Sequence, residues 1–114
     1  MAAKYDIIIE QGSTFALTLY YKDDVGDAID LTGYTVDMDI RDSHGGTEIV
    51  AATISITDAP TGKIAIGISA TLTAAITAEA GVYDIELTEI ATDIVKRLMQ
   101  GDVLISPEVT TPEA

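Results

Sequence analysis

The stretch Glu79-Ala80-Gly81-Val82-Tyr83-Asp84-Ile85-Glu86-Leu87-Thr88 decides the fold. From Tyr83 onward it alternates without a break. Tyr83, Ile85 and Leu87 fall on one side, and Asp84, Glu86 and Thr88 fall on the other. A period of two is the geometry of a pleated strand with one face on a core and one face in water. The same period recurs on both sides of this segment. Phe15, Leu17, Leu19 and Tyr21 alternate with Ala16, Thr18, Tyr20 and Lys22; Val36, Met38 and Ile40 alternate with Asp37, Asp39 and Arg41. Ile54 and Ile56, and then Ile64, Ile66 and Ile68, repeat the pattern with Thr, Ser, Ala and Gly between them. The β-branched residues suit a pleated surface.

Turn chemistry separates these runs: Gln11-Gly12-Ser13, Asp23-Asp24-Val25-Gly26-Asp27, Thr32-Gly33, Ser43-His44-Gly45-Gly46 and Asp58-Ala59-Pro60-Thr61-Gly62. About seven strands at intervals of roughly 8–12 residues follow, which predicts an all-β sandwich or barrel. The strands are expected at 4–10, 14–22, 34–42, 47–57, 63–69, 82–90 and 94–106. Two places break the period. Ala70-Thr71-Leu72-Thr73-Ala74-Ala75-Ile76-Thr77 is Ala-rich, with Leu72 and Ile76 four apart and Thr71 available as a cap. It predicts one short helical connector across an end of the sandwich. The last strand changes parity between Leu98-Gln100 and Val103-Ile105, and a bulge at Gly101 would restore its inward face. The expected organisation is one domain over 1–106 followed by an extended tail over 107–114, where Pro107 and Pro112 stand.

Composition bounds the function. The chain has 114 residues, 47% of them hydrophobic, with no Cys, no Trp and a formal net charge of -13. A chain of this size and apolar content builds a core without staples. The charge opposes binding to nucleic acid, which requires Lys and Arg for phosphate contacts, and opposes an anionic membrane surface. It favours solubility and a basic partner. The absence of Cys removes disulfides, thiolate nucleophiles and cysteine metal sites. The N-terminal run Ile7-Ile8-Ile9 is too short for a signal peptide or a membrane span, so a soluble protein is expected.

No group of residues assembles chemistry. His44 is the sole histidine and stands in a turn sequence, while a nucleophile or a zinc site needs several converging groups. Asp23, Asp24, Asp27 and Asp30 lack the alternate spacing of a calcium loop and match a polar turn. No glycine pattern cradles a phosphate. The expectation is therefore no catalytic residue, no metal site, no cofactor and no enzyme.

Two features point to structural or binding roles. Asp37, Asp39, Asp84 and Glu86 alternate outward on two strands that would be neighbours in an immunoglobulin-like sheet. Like charges directly opposite destabilise. So either these strands are not paired there, or Arg41, Lys96 and Arg97 interleave, or the face meets a basic partner. Tyr83, entering a late strand after a short helical turn, resembles the tyrosine corner of Greek-key sandwiches, with its phenol bonded back to backbone to fix the crossover.

The ordered segments Glu10-Gln11-Gly12-Ser13-Thr14-Phe15, Asp30-Leu31-Thr32-Gly33-Tyr34, Gly81-Val82-Tyr83-Asp84-Ile85-Glu86-Leu87 and Leu98-Met99-Gln100-Gly101, ending in Ser106-Pro107-Glu108-Val109-Thr110, resemble small virion proteins of tailed bacteriophages. They also resemble the N-terminal β-sandwich of phage baseplate upper and fibre-attachment proteins. The resemblance covers most of the chain. It implies an immunoglobulin-like β-sandwich of about seven antiparallel strands in a structural virion protein, present in multiple symmetric copies and binding other virion proteins. The sequence departs from baseplate upper proteins in stopping at Ala114, where they continue into a long receptor-proximal region. A tail, baseplate or fibre adaptor made in the host cytoplasm is the first expectation, and a capsid decoration protein is the second. A carbohydrate- or host-surface-binding module is a reading from another class, for which Tyr5 and Tyr20 are the candidate residues.

Overall fold

A computed structural model describes residues 3–107. Its elements are β1 (Ala3–Lys4), β2 (Ile7–Glu10), β3 (Phe15–Tyr20), β4 (Tyr34–Arg41), β5 (Glu48–Val50), β6 (Thr53–Asp58), a 3-10 turn (Ala59–Thr61), β7 (Lys63–Ile68), α1 (Ala70–Ala74), β8 (Ala80–Glu89) and β9 (Val95–Ser106). Two sheets form. The larger has the order β1-β9-β8-β4-β5, with β2 also on β9, and the smaller has the order β3-β7-β6. This is an immunoglobulin-like sandwich, with β4, β8 and β9 as the central strands of one sheet. Of the tail expected over 107–114, only Pro107 lies within the described residues.

Two expected strands divide, each for a physical reason. The segment 47–57 becomes β5 in one sheet and β6 in the other, because the chain crosses between sheets at Ala51-Ala52. Alternation reports a face, and it carries no information on which sheet the face belongs to. The segment 4–10 becomes β1 and β2, both parallel to β9, whereas every other pairing between strands is antiparallel. The expected all-antiparallel arrangement is corrected at this one edge.

The core is aliphatic. Ile7, Ile9, Met38, Ile40, Ile85, Leu87, Val103 and Ile105 from the larger sheet face Ile64, Ile66 and Ile68 from the smaller. Leu31, from the connection between β3 and β4, and Ile76, just after α1, are buried with them. Each fully buried Ile or Leu contributes about 1.5–3 kcal/mol relative to exposure. Along β3 the inward residues Phe15, Leu17 and Leu19 are only half-buried, so the sandwich is less closed on that side.

The connector α1 is capped by Ser69, whose hydroxyl accepts from Leu72 N at 3.3 Å, and not by the expected Thr71. Thr73 anchors it. This residue is fully buried, donates from Oγ1 to the Ser13 carbonyl at 2.7 Å and accepts from Gly12 N at 3.1 Å. The connector is thereby tied to the β2–β3 turn, 60 residues away.

Candidate functional site

β4 pairs directly with β8 along its whole length. Asp37 is opposite Glu86, and Asp39 is opposite Asp84. Side chains at directly opposed positions share a face about 4.5–5.5 Å apart at Cβ. The outer face of the larger sheet therefore carries two consecutive like-charged pairs. Of the three basic residues expected to interleave, Arg41 and Arg97 do so. Arg41 Nη2 lies 3.1 Å from Asp39 Oδ2, and Arg97 Nε lies 3.4 Å from Asp84 Oδ2. Arg97 is also in register with Glu86. Lys96 is opposite Leu87, whose side chain is buried, so Lys96 belongs to the other face. Both ion pairs are solvent-exposed and contribute little, typically under about 1 kcal/mol each. Among the described residues Asp37 forms no salt bridge. Asp37→Asn is expected to raise stability by a few tenths of a kcal/mol, up to about 1, read as a higher urea midpoint at low salt.

Beside this face the β4–β5 turn closes tightly. Gly46 N donates to the Ser43 carbonyl at 2.9 Å, Asp42 Oδ1 accepts from Thr47 N at 2.9 Å, and Arg41 Nη1 donates to the Gly46 carbonyl at 2.8 Å. Arg41 thus holds the turn against Asp39. The turn and the sheet enclose an open depression of about 230 Å³ lined by Asp39, Arg41, Ser43, His44, Gly45, Asp84, Arg97 and Gln100. His44 stands at its rim on an exposed turn. In the Asp-rich loop, Asp23 Oδ1 accepts from Val25 N and Asp27 N, and Asp30 Oδ1 accepts from Thr32 N and Oγ1. The Thr32 hydroxyl and amide hold the Asp30 carboxyl below its ordinary value. These carboxylates organise their own turns. Among the described residues no three His, Asp or Glu side chains converge on a metal-sized site.

The Tyr83 phenol bonds back to backbone as expected, but at a different place, and Gly101 has a role other than the expected bulge. The Tyr83 hydroxyl donates to the Tyr5 carbonyl, 78 residues upstream. No corner forms at the α1 crossover; the phenol instead secures the N-terminal strand. The reason lies at Tyr5-Asp6, where the ladder between β1 and β2 is interrupted. Tyr5 N donates to the Gln100 carbonyl at 2.9 Å, but its own carbonyl is received by Tyr83. Asp102 N, opposite the gap, donates to the Asp6 carboxylate at 2.9 Å. Two side chains thus complete backbone groups that the ladder leaves open.

Gly101 is in register with Tyr83 and makes no bulge. The bulge is at Leu98, where Ile85 pairs with Met99 and Glu86 pairs with Arg97. Met99, Gly101, Val103 and Ile105 then share the inward phase. Glycine is needed at 101 for close approach, because a Cβ there would lie 2.1 Å from the Tyr5 carbonyl oxygen. The sequence signal for the true bulge is the doublet Leu98-Met99, two apolar residues in succession within an alternating strand.

Burial of the Tyr83 phenol, with Asp6 and Tyr5 adding repulsion, pushes its pKa up to about 12. The unfolded value is about 10. Between those values the unfolded chain sheds this proton while the folded chain retains it, so stability falls as pH rises through that window and is intact below it. Tyr83→Phe is expected to cost about 1–2 kcal/mol at neutral pH, by leaving the Tyr5 carbonyl without its donor. The variant should also lose part of the stability decline between pH 10 and 12. Urea titrations at a series of pH values test both.

No family model matches the chain, and no curated protein matches it in sequence. Solved structures do match in shape. A crystal structure of chicken TCR superposes with a TM-score of 0.56 at 12% identity, over 94% of this chain and 55% of the receptor chain. The chain therefore spans about half the length of that neighbour. At this identity the likeness shows the fold, which is an immunoglobulin-like β-sandwich.

Proposed function

We propose that this chain is a structural adaptor of a tailed-phage virion, binding a basic surface of another virion protein through the outer face of β4 and β8. The observation that carries the binding reading is the direct opposition of Asp37 with Glu86 and of Asp39 with Asp84. An exposed sheet face could relieve this repulsion with Thr, Lys or Gln at no cost to the core. Four carboxylates against two guanidiniums instead store an attraction for positive charge, which a basic partner converts into association rate and orientation. The phage assignment is supported by the segments from Glu10-Gln11-Gly12 to Gly81-Val82-Tyr83-Asp84 that resemble virion sandwiches. A net charge of -13 suits a protein that must stay soluble in many copies before assembly.

The test is the fourfold variant D37N/D39N/D84N/E86Q, supplied in place of the wild-type chain during particle assembly. Incorporation reduced about tenfold or more, with a melting temperature no lower than wild type, is the expected result. Incorporation at the wild-type level would remove this face from the proposal.

A further inference from the structure

Among the described residues the larger sheet is unfinished along one side. β1 covers the outer edge of β9 at Met99-Gln100, and β2 covers it from Val103 to Ser106. Among the described residues no strand pairs with that edge over Val95–Leu98. An edge in this state presents backbone donors and acceptors to any extended chain. Beside it, Leu98 and Met99 at the bulge, with Leu19, Tyr20, Tyr21 and Lys22 from the end of β3, line an open, mainly apolar depression of about 210 Å³. Val95 and Tyr20, on either side, are each 53% exposed.

Charge is the third observation. The chain has 6 basic residues against 19 acidic ones, yet three of its lysines gather here. Lys96 lies on the open edge, on the face turned from the carboxylates, and Lys22 lines the depression. The Lys63 ammonium stands 6.0 Å from the centre of the Tyr20 ring. Arg97, opposite Glu86, and Lys4, opposite Gln100, lie instead with Arg41 on the carboxylate face. Of the nearby carboxylates, Asp23 is bonded to its own turn and Asp58 is in register with Lys63.

We propose that this edge receives an extended acidic segment of another chain, one that alternates carboxylate and aliphatic side chains and adds as a strand beside Val95–Leu98. Backbone hydrogen bonds would supply affinity. Alternate side chains would enter the depression against Leu19, Tyr21, Leu98 and Met99, while the carboxylates meet Lys22 and Lys96. The inference rests on reading the domain as a protein-binding module, but it uses a different surface from the carboxylate face.

The probe is an acetylated, amidated octapeptide of alternating glutamate and valine, titrated into the isotope-labelled protein and followed by NMR. The expected result is perturbation of backbone amides over Leu19–Lys22 and Val95–Met99, with affinity that falls as salt rises. Affinity should drop about tenfold or more in K22E/K96E, whose melting temperature should stay near wild type, and equally for a glutamate–serine peptide. Absence of binding, perturbation elsewhere, or indifference to K22E/K96E overturns the proposal. The D37N/D39N/D84N/E86Q protein, with four fewer negative charges, should bind the peptide at least as tightly as wild type. Loss of particle incorporation with peptide binding intact therefore concerns the carboxylate face alone, and the converse concerns this edge alone.

Discussion

Ile85→Ala is expected to lower the unfolding free energy by about 2–5 kcal/mol. Ile85 is fully buried at the centre of β8, in register with Met38 on β4 and Met99 on β9. Deleting three of its side-chain carbons removes contacts with both neighbouring strands and with the opposing sheet. Met38 and Met99 are flexible and can fill part of the space, which favours the lower half of the range. A domain of this size has only about 5–15 kcal/mol in total, so the variant should unfold at a clearly lower urea concentration with an unchanged slope. Leu72→Ala, on the exposed side of α1, serves as the comparison and should shift stability by less than about 0.5 kcal/mol.

Gly101→Ala is expected to be nearly as damaging although it adds a single carbon. That carbon would sit 2.1 Å from the Tyr5 carbonyl oxygen and 2.7 Å from its carbon. Backbone cannot yield as a side-chain tip can, so the Tyr5-Asp6 segment must move outward. That movement separates Tyr5 from Tyr83 and Asp6 from Asp102 N, two bonds that hold the N-terminal strand across its interruption. Steric displacement and the two lost bonds together cost about 2–4 kcal/mol. The loss should be local in character. Amides of Tyr5 to Glu10 should exchange faster with solvent, while those of β4 and of the centre of β8 keep their protection. If Gly101→Ala proved neutral, the close approach of Tyr5 to β9 would be wrong.

The fold was legible because its information is periodic. Inward Ile and Leu residues at every second position, with Gly, Asp and Pro between the runs, mark strands and turns whatever the surroundings. The helical connector was legible from its break in that period. Sheet membership was not, because Ile49 and Ile54 alternate in the same way whether or not the chain changes sheets between them. Parallel pairing of β1 and β2 with β9 was not legible either, since strand direction at an edge depends on which connections cross the sandwich. The errors at Tyr83 and Gly101 have a common origin. Each residue was read against its sequence neighbours, whereas its partner is Tyr5, at the far end of the chain. Thr73 was missed for the same reason: a threonine in an Ala-rich run gives no sign that its hydroxyl will be buried against Ser13 and Gly12.

The carboxylate face was legible as residues and incomplete as geometry. Alternation placed Asp37, Asp39, Asp84 and Glu86 outward. Only the register of β4 against β8 shows that they oppose one another in pairs. It also separates Arg97, which lies on that face, from Lys96, which does not. The same register leaves Val95–Leu98 of β9 without a second partner strand among the described residues, which no reading of local sequence could reveal.

The central claim is that this sandwich is an adaptor within a tailed-phage particle, and its most direct test is localisation by cryo-electron microscopy of whole particles. The account predicts density for the sandwich at the tail, baseplate or fibre root, with the outer face of β4 and β8 against a basic surface of a neighbouring protein. Density distributed over the capsid lattice would make it a decoration protein and contradict the adaptor assignment, and absence from the particle would contradict the virion assignment altogether.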